Sequence, residues 1–571
     1  MRSTIGFLAS AGALLGVLAA CGGSTGGGTA PGPVPSITGV SPSQGTVGTE
    51  LTISGTNFRS GAAVRVGSYT SSAVDVAGPT TIYASVPSGV TAGQIYDVIV
   101  LNSDGTDARR TAAFTAVAPT LLYVNGATKP SGNVGNTVIL EGIAFGDQQG
   151  PGQVLFSDGA GGTIAATIAD PAADWTDGFI LTTVPSGAAT GDVLVQTGTG
   201  TSNALPFTVT ANAQFSPSTI AWTSTTPLPV GLSGHRATFA AVQGAGASSN
   251  IVYVTGGAAN DYAPRTDVSY SVIQADGHLA AWASTAPLPA ALAFHAAVAA
   301  TPANSRVKGT GYIYVLGGAS DAAGTPTSAI YRGTLAEDGS ITSWTNAGQL
   351  PAAAHSLGAA LFRGDLYIVG GSGSANTPVS TVYRARLDSL GALGSWQQQL
   401  DLPAGRTYHG VLQFGGHLYA FGGETAAVTP NDANYTNNDS KLADIAYARI
   451  SLRTGDLATS GWVVNSSNLF KATSKHTAVA VGGNVLVTAG LYNAANTGST
   501  EESYAQFNSD GSVGSFNGAT GSRTIVSAGG QNLFNHAAIA YVDANGVAHV
   551  LVLGGDDVNA PGQKRAEIWF Y

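Results

Sequence analysis

From residue 35 onward, short apolar runs alternate with Gly-, Pro- and Asn-rich breaks, and the Glu/Lys/Leu mixture that builds long helices is scarce. The segments 37–42, 51–58, 82–86 and 96–101 read as strands, separated by turn sequences at 45–48, 87–89 and 102–105. A second, more diverged set follows. Gly132-Asn133-Val134-Gly135 precedes the apolar run 138–145, Val184-Pro185-Ser186-Gly187 repeats Val86-Pro87-Ser88-Gly89, and Val193-Leu194-Val195 matches the late strand. Both sets carry a Gly-x-x-Phe signature, Gly55 to Phe58 and Gly142 to Phe145. These patterns predict two small β-sandwiches, over 35–117 and 119–211.

After residue 214 a longer period takes over. Trp222, Trp282, Trp344, Trp396 and Trp462 recur, with Phe516 in the sixth place, and Pro-rich turns follow four of the tryptophans. Each unit then leads to a histidine: His235, His295, His355, His409, His476 and His536. An apolar strand comes next and ends in two small residues, Gly256-Gly257, Gly317-Gly318, Gly370-Gly371, Gly422-Gly423, Ala489-Gly490 and Gly554-Gly555. Asp276-Gly277, Asp338-Gly339 and Asp510-Gly511 mark hairpins between third and fourth strands. One such unit makes a small sheet that cannot cover both its faces, whereas a closed ring of units covers them all.

Residues 35–117 resemble an IPT/TIG domain, an immunoglobulin-like fold, and 119–211 resembles a diverged copy. The repeat over 215–571 resembles the Kelch repeat, with its double glycine followed by an aromatic and a tryptophan; Ala489 and Phe516 depart from that pattern. The expected fold is therefore all-β: two immunoglobulin-like β-sandwiches followed by a six-bladed Kelch-type β-propeller. The last residues supply only a third strand, and 215–222 matches a fourth. The ring is thus expected to close by the N-terminal strand completing the last blade.

Composition sharpens the picture in three ways. Glycine is 78 of 571 residues and charged residues are only 10%, against a typical ~25%, which suits many short strands joined by tight turns. The net charge of −10 leaves no clustered Lys and Arg for phosphate, so no nucleic-acid partner is expected. Cys21 is the single cysteine, which removes disulfides, cysteine-cluster metal sites and the cysteine-linked tyrosine of the copper oxidases that share the Kelch architecture. It ends Leu18-Ala19-Ala20-Cys21, behind a basic start and an apolar run too short to span a bilayer. That pattern resembles the bacterial lipobox. It implies a signal peptide over 1–20, lipidation at Cys21, a Gly/Pro-rich tether over 21–34 and export to the cell envelope, with Gly22 pointing to the outer membrane.

The candidate functional face follows from strand order. In an antiparallel meander the loop before the first strand and the loop after the second share one side, so the histidines and the loops after the glycine pairs face one mouth. Arg265, Arg406, Glu424, Asp556 and Asp557 fall there as candidate ligand contacts, beside the long Asn- and Asp-rich loop 424–443. The six histidines recur in every unit, which suits a structural task. Neighbouring sheets lie up to ~10 Å apart, too far for six imidazoles to share a zinc, so neither a metal nor a cofactor is expected. Two functions fit: a binding or adhesion protein that grips a protein or glycan, or a carbohydrate-active enzyme such as an epimerase using paired carboxylates.

Overall fold

A computed structural model describes residues 32–125, 130–209, 221–243, 248–260, 262–302, 304–305, 307–428, 440–492, 497–518, 533–542, 547–557 and 563–571. Cys21, the segments 1–31 and 210–220, and the middle of the long loop, 429–439, lie outside the described residues. Among the described residues the chain is nearly all β, interrupted by one short helix, Pro171–Asp174, and one 3₁₀ turn, Ser374–Asn376.

The first sandwich stacks the strands Ser36–Ser41, Glu50–Thr56, Thr81–Ser85 and Val74–Gly78 on a second sheet built from Asp107–Ala116, Ile95–Leu101 and Ala63–Val66. Between them lies a core that includes Leu51, Ile53, Val64, Ile82, Val98, Val100 and Phe114. The second sandwich follows the same path with one strand replaced, including a short parallel pairing at the start, Ser131–Gly132 on Leu205–Val209. The helix Pro171–Asp174, capped by the Asp170 carboxylate, stands where the first sandwich has Val74–Gly78. Its indole, Trp175, is fully buried and donates from Nε1 to the Phe145 carbonyl.

The Gly-x-x-Phe signature has a steric cause. A Cβ on Gly55 would stand 1.9 Å from the Ser36 carbonyl oxygen and 2.4 Å from the Phe58 ring. On Gly142 it would stand 2.1 Å from the Thr120 oxygen and 2.3 Å from the Phe145 ring. In each copy glycine lets the phenylalanine fold back over its own strand into the core.

Beyond residue 221 the strands fall into six sets of four antiparallel neighbours. The first strands of the six sets are Arg236–Gln243, Ala296–Ala300, Gly358–Phe362, Gly410–Phe414, Thr477–Val481 and Ala537–Val542. Second strands such as Asp365–Val369 and His417–Phe421 are buried throughout, while fourth strands such as Gln397–Gln398 and Val463–Val464 are exposed. Each sheet packs on the next through its own apolar core. One such core joins Val252 and Val254 of the first set to Leu551, Leu553 and Ile568 of the sixth. Leu533–Phe534 additionally bridges the fifth and sixth sets at their edge.

The sixth set is completed by a strand from the other end of the repeat region. Thr223–Thr225 pairs antiparallel with Lys564–Phe570, Ser224 facing Trp569. The described part of the closing strand begins just after Trp222, and most of the expected stretch 215–222 lies outside the described residues. The same offset holds at Trp282, Trp396 and Trp462, each followed by its fourth strand. The indole instead reaches back to the preceding sheet: Trp344 Nε1 donates to the Ala286 carbonyl at 2.8 Å, Trp396 to Gln349 at 3.0 Å and Trp462 to Leu400 at 2.8 Å. Tyrosines tie the opposite way. The Tyr253 hydroxyl donates to Gly339 at 2.6 Å and Tyr419 to Gly511 at 2.8 Å, both glycines of the next sheet's Asp-Gly hairpin.

Candidate functional site

Two positions before each first strand a residue sits in the left-handed region: Gly234, Phe294, Ser356, Tyr408, Lys475 and Asn535, with φ between 50° and 58°. Their backbones form a closed circle. Phe294 N–H donates to the Gly234 carbonyl, Ser356 to Phe294, Tyr408 to Ser356, Lys475 to Tyr408, Asn535 to Lys475 and Gly234 to Asn535, at 2.7–3.3 Å. Below this circle the starts of the six first strands enclose an axial cavity of about 190 Å³. Above it, Phe294 and Tyr408 meet edge to face and pack with Ala258, Ala293, Ala319 and Val428 into an apolar cap.

The circle corrects the histidine register. His235, His295, His409, His476 and His536 each follow their left-handed residue, but in the third set that position belongs to Leu357. The facing glycines show the equivalence: a Cβ on Gly257 would meet His235 Cβ at 2.6 Å, and one on Gly371 would meet Leu357 Cβ at 2.8 Å. His355 lies two residues earlier, with Nε2 bonded to the Asn376 side chain at 2.7 Å and Nδ1 to the Ser356 hydroxyl. Five histidines, not six, share the repeat position. Each is buried between sheets: His295 Nε2 meets the Thr255 hydroxyl and His536 Nε2 the Thr488 hydroxyl, both at 2.8 Å. Burial holds His295 and His536 down at about 3, helped by the charge of Arg236 at His295 and by the neighbouring His476 and His235 at His536, and burial alone keeps His476 at about 4. These imidazoles are neutral wedges. Among the described residues no group of three or more His, Cys, Asp or Glu is placed to hold a metal ion.

The five charged candidates are engaged with partners inside the chain, and none lines the axial cavity. Arg406, fully buried, makes a two-pronged pair with Asp444 at 2.9 Å and donates to the Gly422 carbonyl. The Glu424 carboxylate accepts from the Ser474 hydroxyl, and its backbone bridges Thr407 to Lys441. Asp556 is buried between Lys564 and the Asn535 amide, and Asp557 is paired with Arg565. Arg265 is the most exposed of the five, bonded to Asp267 at 2.6 Å. Sequence position brought these residues to one side of the sheets, where ion pairs take up the charge of Arg265, Arg406, Asp556 and Asp557, while Glu424 has one carboxylate oxygen without a hydrogen-bond partner among the described residues.

Arg236 is the residue that sequence reading passed over. It follows His235, where the other sets carry Ala296, Gly358, Gly410, Thr477 and Ala537. Aligning the repeats on the circle would have exposed it as one long cation among small residues. Its Nε donates to the His295 carbonyl at 2.8 Å, and its guanidinium lines the axial cavity. Burial lowers it to about 10, and its charge depresses His235, His295, His409 and His536 alike.

The second sandwich stands at the far end of that axis. Asn125, Asn133 and Thr137 share a cavity of about 360 Å³ with Phe414, Gly482, Gly483 and Tyr541, at the turns between first and second strands. Arg363 lies 3.2 Å over the Phe179 ring, Arg449 pairs with Asp174 and Asp170, and Leu181 enters the core between the third and fourth sheets. The first sandwich follows on: Arg453 of the fourth set and the Glu50 backbone N–H share the Asp147 carboxylate at 2.7 and 2.8 Å.

The two-sheet packing and the glycine-seated phenylalanine of the first sandwich agree with its family match. Residues 35–116 match the IPT/TIG domain. No curated protein matches the chain. The IPT/TIG domain accounts for the first sandwich, an immunoglobulin-like module within a nearly all-β protein.

Proposed function

We propose that residues 215–571 form a six-bladed Kelch-type β-propeller, that 119–211 is a second IPT/TIG-like module, and that the chain is a lipid-anchored envelope protein that binds a protein or glycan. The closed circle of six backbone hydrogen bonds carries the propeller reading, since it requires six equivalent strand starts around one axis. The strand Thr223–Thr225 supports it as the clasp of the last blade. The modules behind the propeller act as a rigid stand: ion pairs, an apolar contact and a cation–π contact fix the second sandwich to blades three and four.

Binding is favoured over sugar chemistry by the state of the mouth. Glu424, Asp556 and Asp557 are already matched to a hydroxyl or cation, and the channel entrance is filled by Phe294, Tyr408 and Val428. A general acid and base need open carboxylates converging on one cavity. Loops around an apolar cap suit a surface ligand instead.

The deciding experiment is a glycan and protein array with the full chain, repeated with Arg265→Glu and with residues 429–439 deleted. Loss of the hit in either variant is expected, and a hit untouched by both sinks the chosen face. Cys21→Ser should abolish incorporation of labelled fatty acid and release the protein from membranes. Labelling that persists removes the anchor from the reading.

A further inference from the structure

The axial cavity poses an electrostatic problem that the fold leaves open. Five of the six positions at its wall are small, and the sixth is Arg236. Its Nε is occupied by the His295 carbonyl, while among the described residues neither Nη has a hydrogen-bond partner and no carboxylate pairs with it. The lining side chains are Ala, Gly, Val, Leu and Phe, with polar groups from Ser356, Thr477, Tyr408, Lys475, Asn535 and the histidines. The histidines are held neutral, Asn535 donates to Asp556, and the Thr477 hydroxyl donates to the His536 carbonyl. Arg236 is only partly exposed, and a cation without a partner in a half-enclosed site favours an opposite charge beside it.

We propose that the axial cavity is a binding site for one small oxyanion, a carboxylate or phosphate, held end-on by the two Nη groups of Arg236. A guanidinium presents paired donors to such groups with matching geometry. The volume of about 190 Å³ admits the anion with a few waters, at roughly 30 Å³ per water, and excludes an oligosaccharide. Phe294, Tyr408 and Val428 cap one end, and the second sandwich stands beyond the other. The occupant cross-links the starts of the six strands through one central charge. The site is separate from the proposed ligand face, and loss of either leaves the other standing.

The test uses the full chain titrated with sodium acetate and with sodium phosphate, each against sodium chloride at matched ionic strength, followed by calorimetry and thermal unfolding. Saturable one-site binding of at least one oxyanion is expected, with a rise in melting temperature that sodium chloride does not reproduce. Arg236→Gln should weaken binding at least tenfold and remove the thermal response. Ala537→Leu, which keeps the arginine and fills the cavity, should do the same and decides the matter if Arg236→Gln does not fold. Absence of saturable binding by the wild-type chain, or binding that survives these changes, overturns the proposal.

Discussion

A histidine buried beside an arginine behaves as a neutral packing group, and that has a measurable consequence at the scale of the residue. The folded-state values near 3 for His295 and His536 lie below the ordinary 6.5, so the unfolded chain takes up protons first. Their contribution is fully present above pH 6.5 and is lost as pH falls toward 3, at about 1.4 kcal/mol per pH unit for each histidine. His295→Leu should therefore flatten the fall of the urea midpoint between pH 7 and pH 4.5. Leu357 shows that the position accepts leucine. Parallel curves for variant and wild type would mean that His295 is not held neutral.

At the scale of the element, sheets are joined by single donors aimed at backbone carbonyls. The Tyr419 hydroxyl, buried and bonded to Gly511, is one such tie, and burial raises it well above its usual range. Tyr419→Phe should cost about 1–2 kcal/mol, because the Gly511 carbonyl loses its partner in an interior that offers few others. Denaturant unfolding reads this directly. A larger effect belongs to the clasp. Deleting 222–225 removes the strand on Lys564–Phe570 and the Trp222 bond to Glu502. It should lower the melting temperature of the whole repeat region in one transition. An unchanged midpoint would show that the ring does not depend on this strand.

For the whole molecule, the second sandwich is held to the fourth sheet by a partly buried ion pair. Asp174 is buried, and desolvation raises its carboxyl above the usual range despite Arg449. Arg449→Ala leaves that carboxylate without its cation, at a cost of roughly 3 kcal/mol. Scanning calorimetry should then separate the sandwich from the repeat region as an earlier transition. Asp174→Asn with Arg449→Ala should recover part of the loss, since no charge remains buried.

Local rules made much of this legible from sequence. Alternation and turn residues define strands, Gly55 and Gly142 announce a close backbone approach, and a recurring Trp and glycine pair reveal the period, because each depends on neighbours within a few residues. What those repeats touch was decided elsewhere. Whether a tryptophan starts a strand or braces the previous sheet, whether His355 or Leu357 fills the wedge, and whether Asp556 is free or paired with Lys564 depend on contacts between distant strands. The register in the third set illustrates the limit: spacing counted histidines, while the hydrogen-bonded circle counts φ and direction. Arg236 is the clearest case. Its identity was plain in the chain, but its solitude at the axis exists only once six small-walled strands have closed around it.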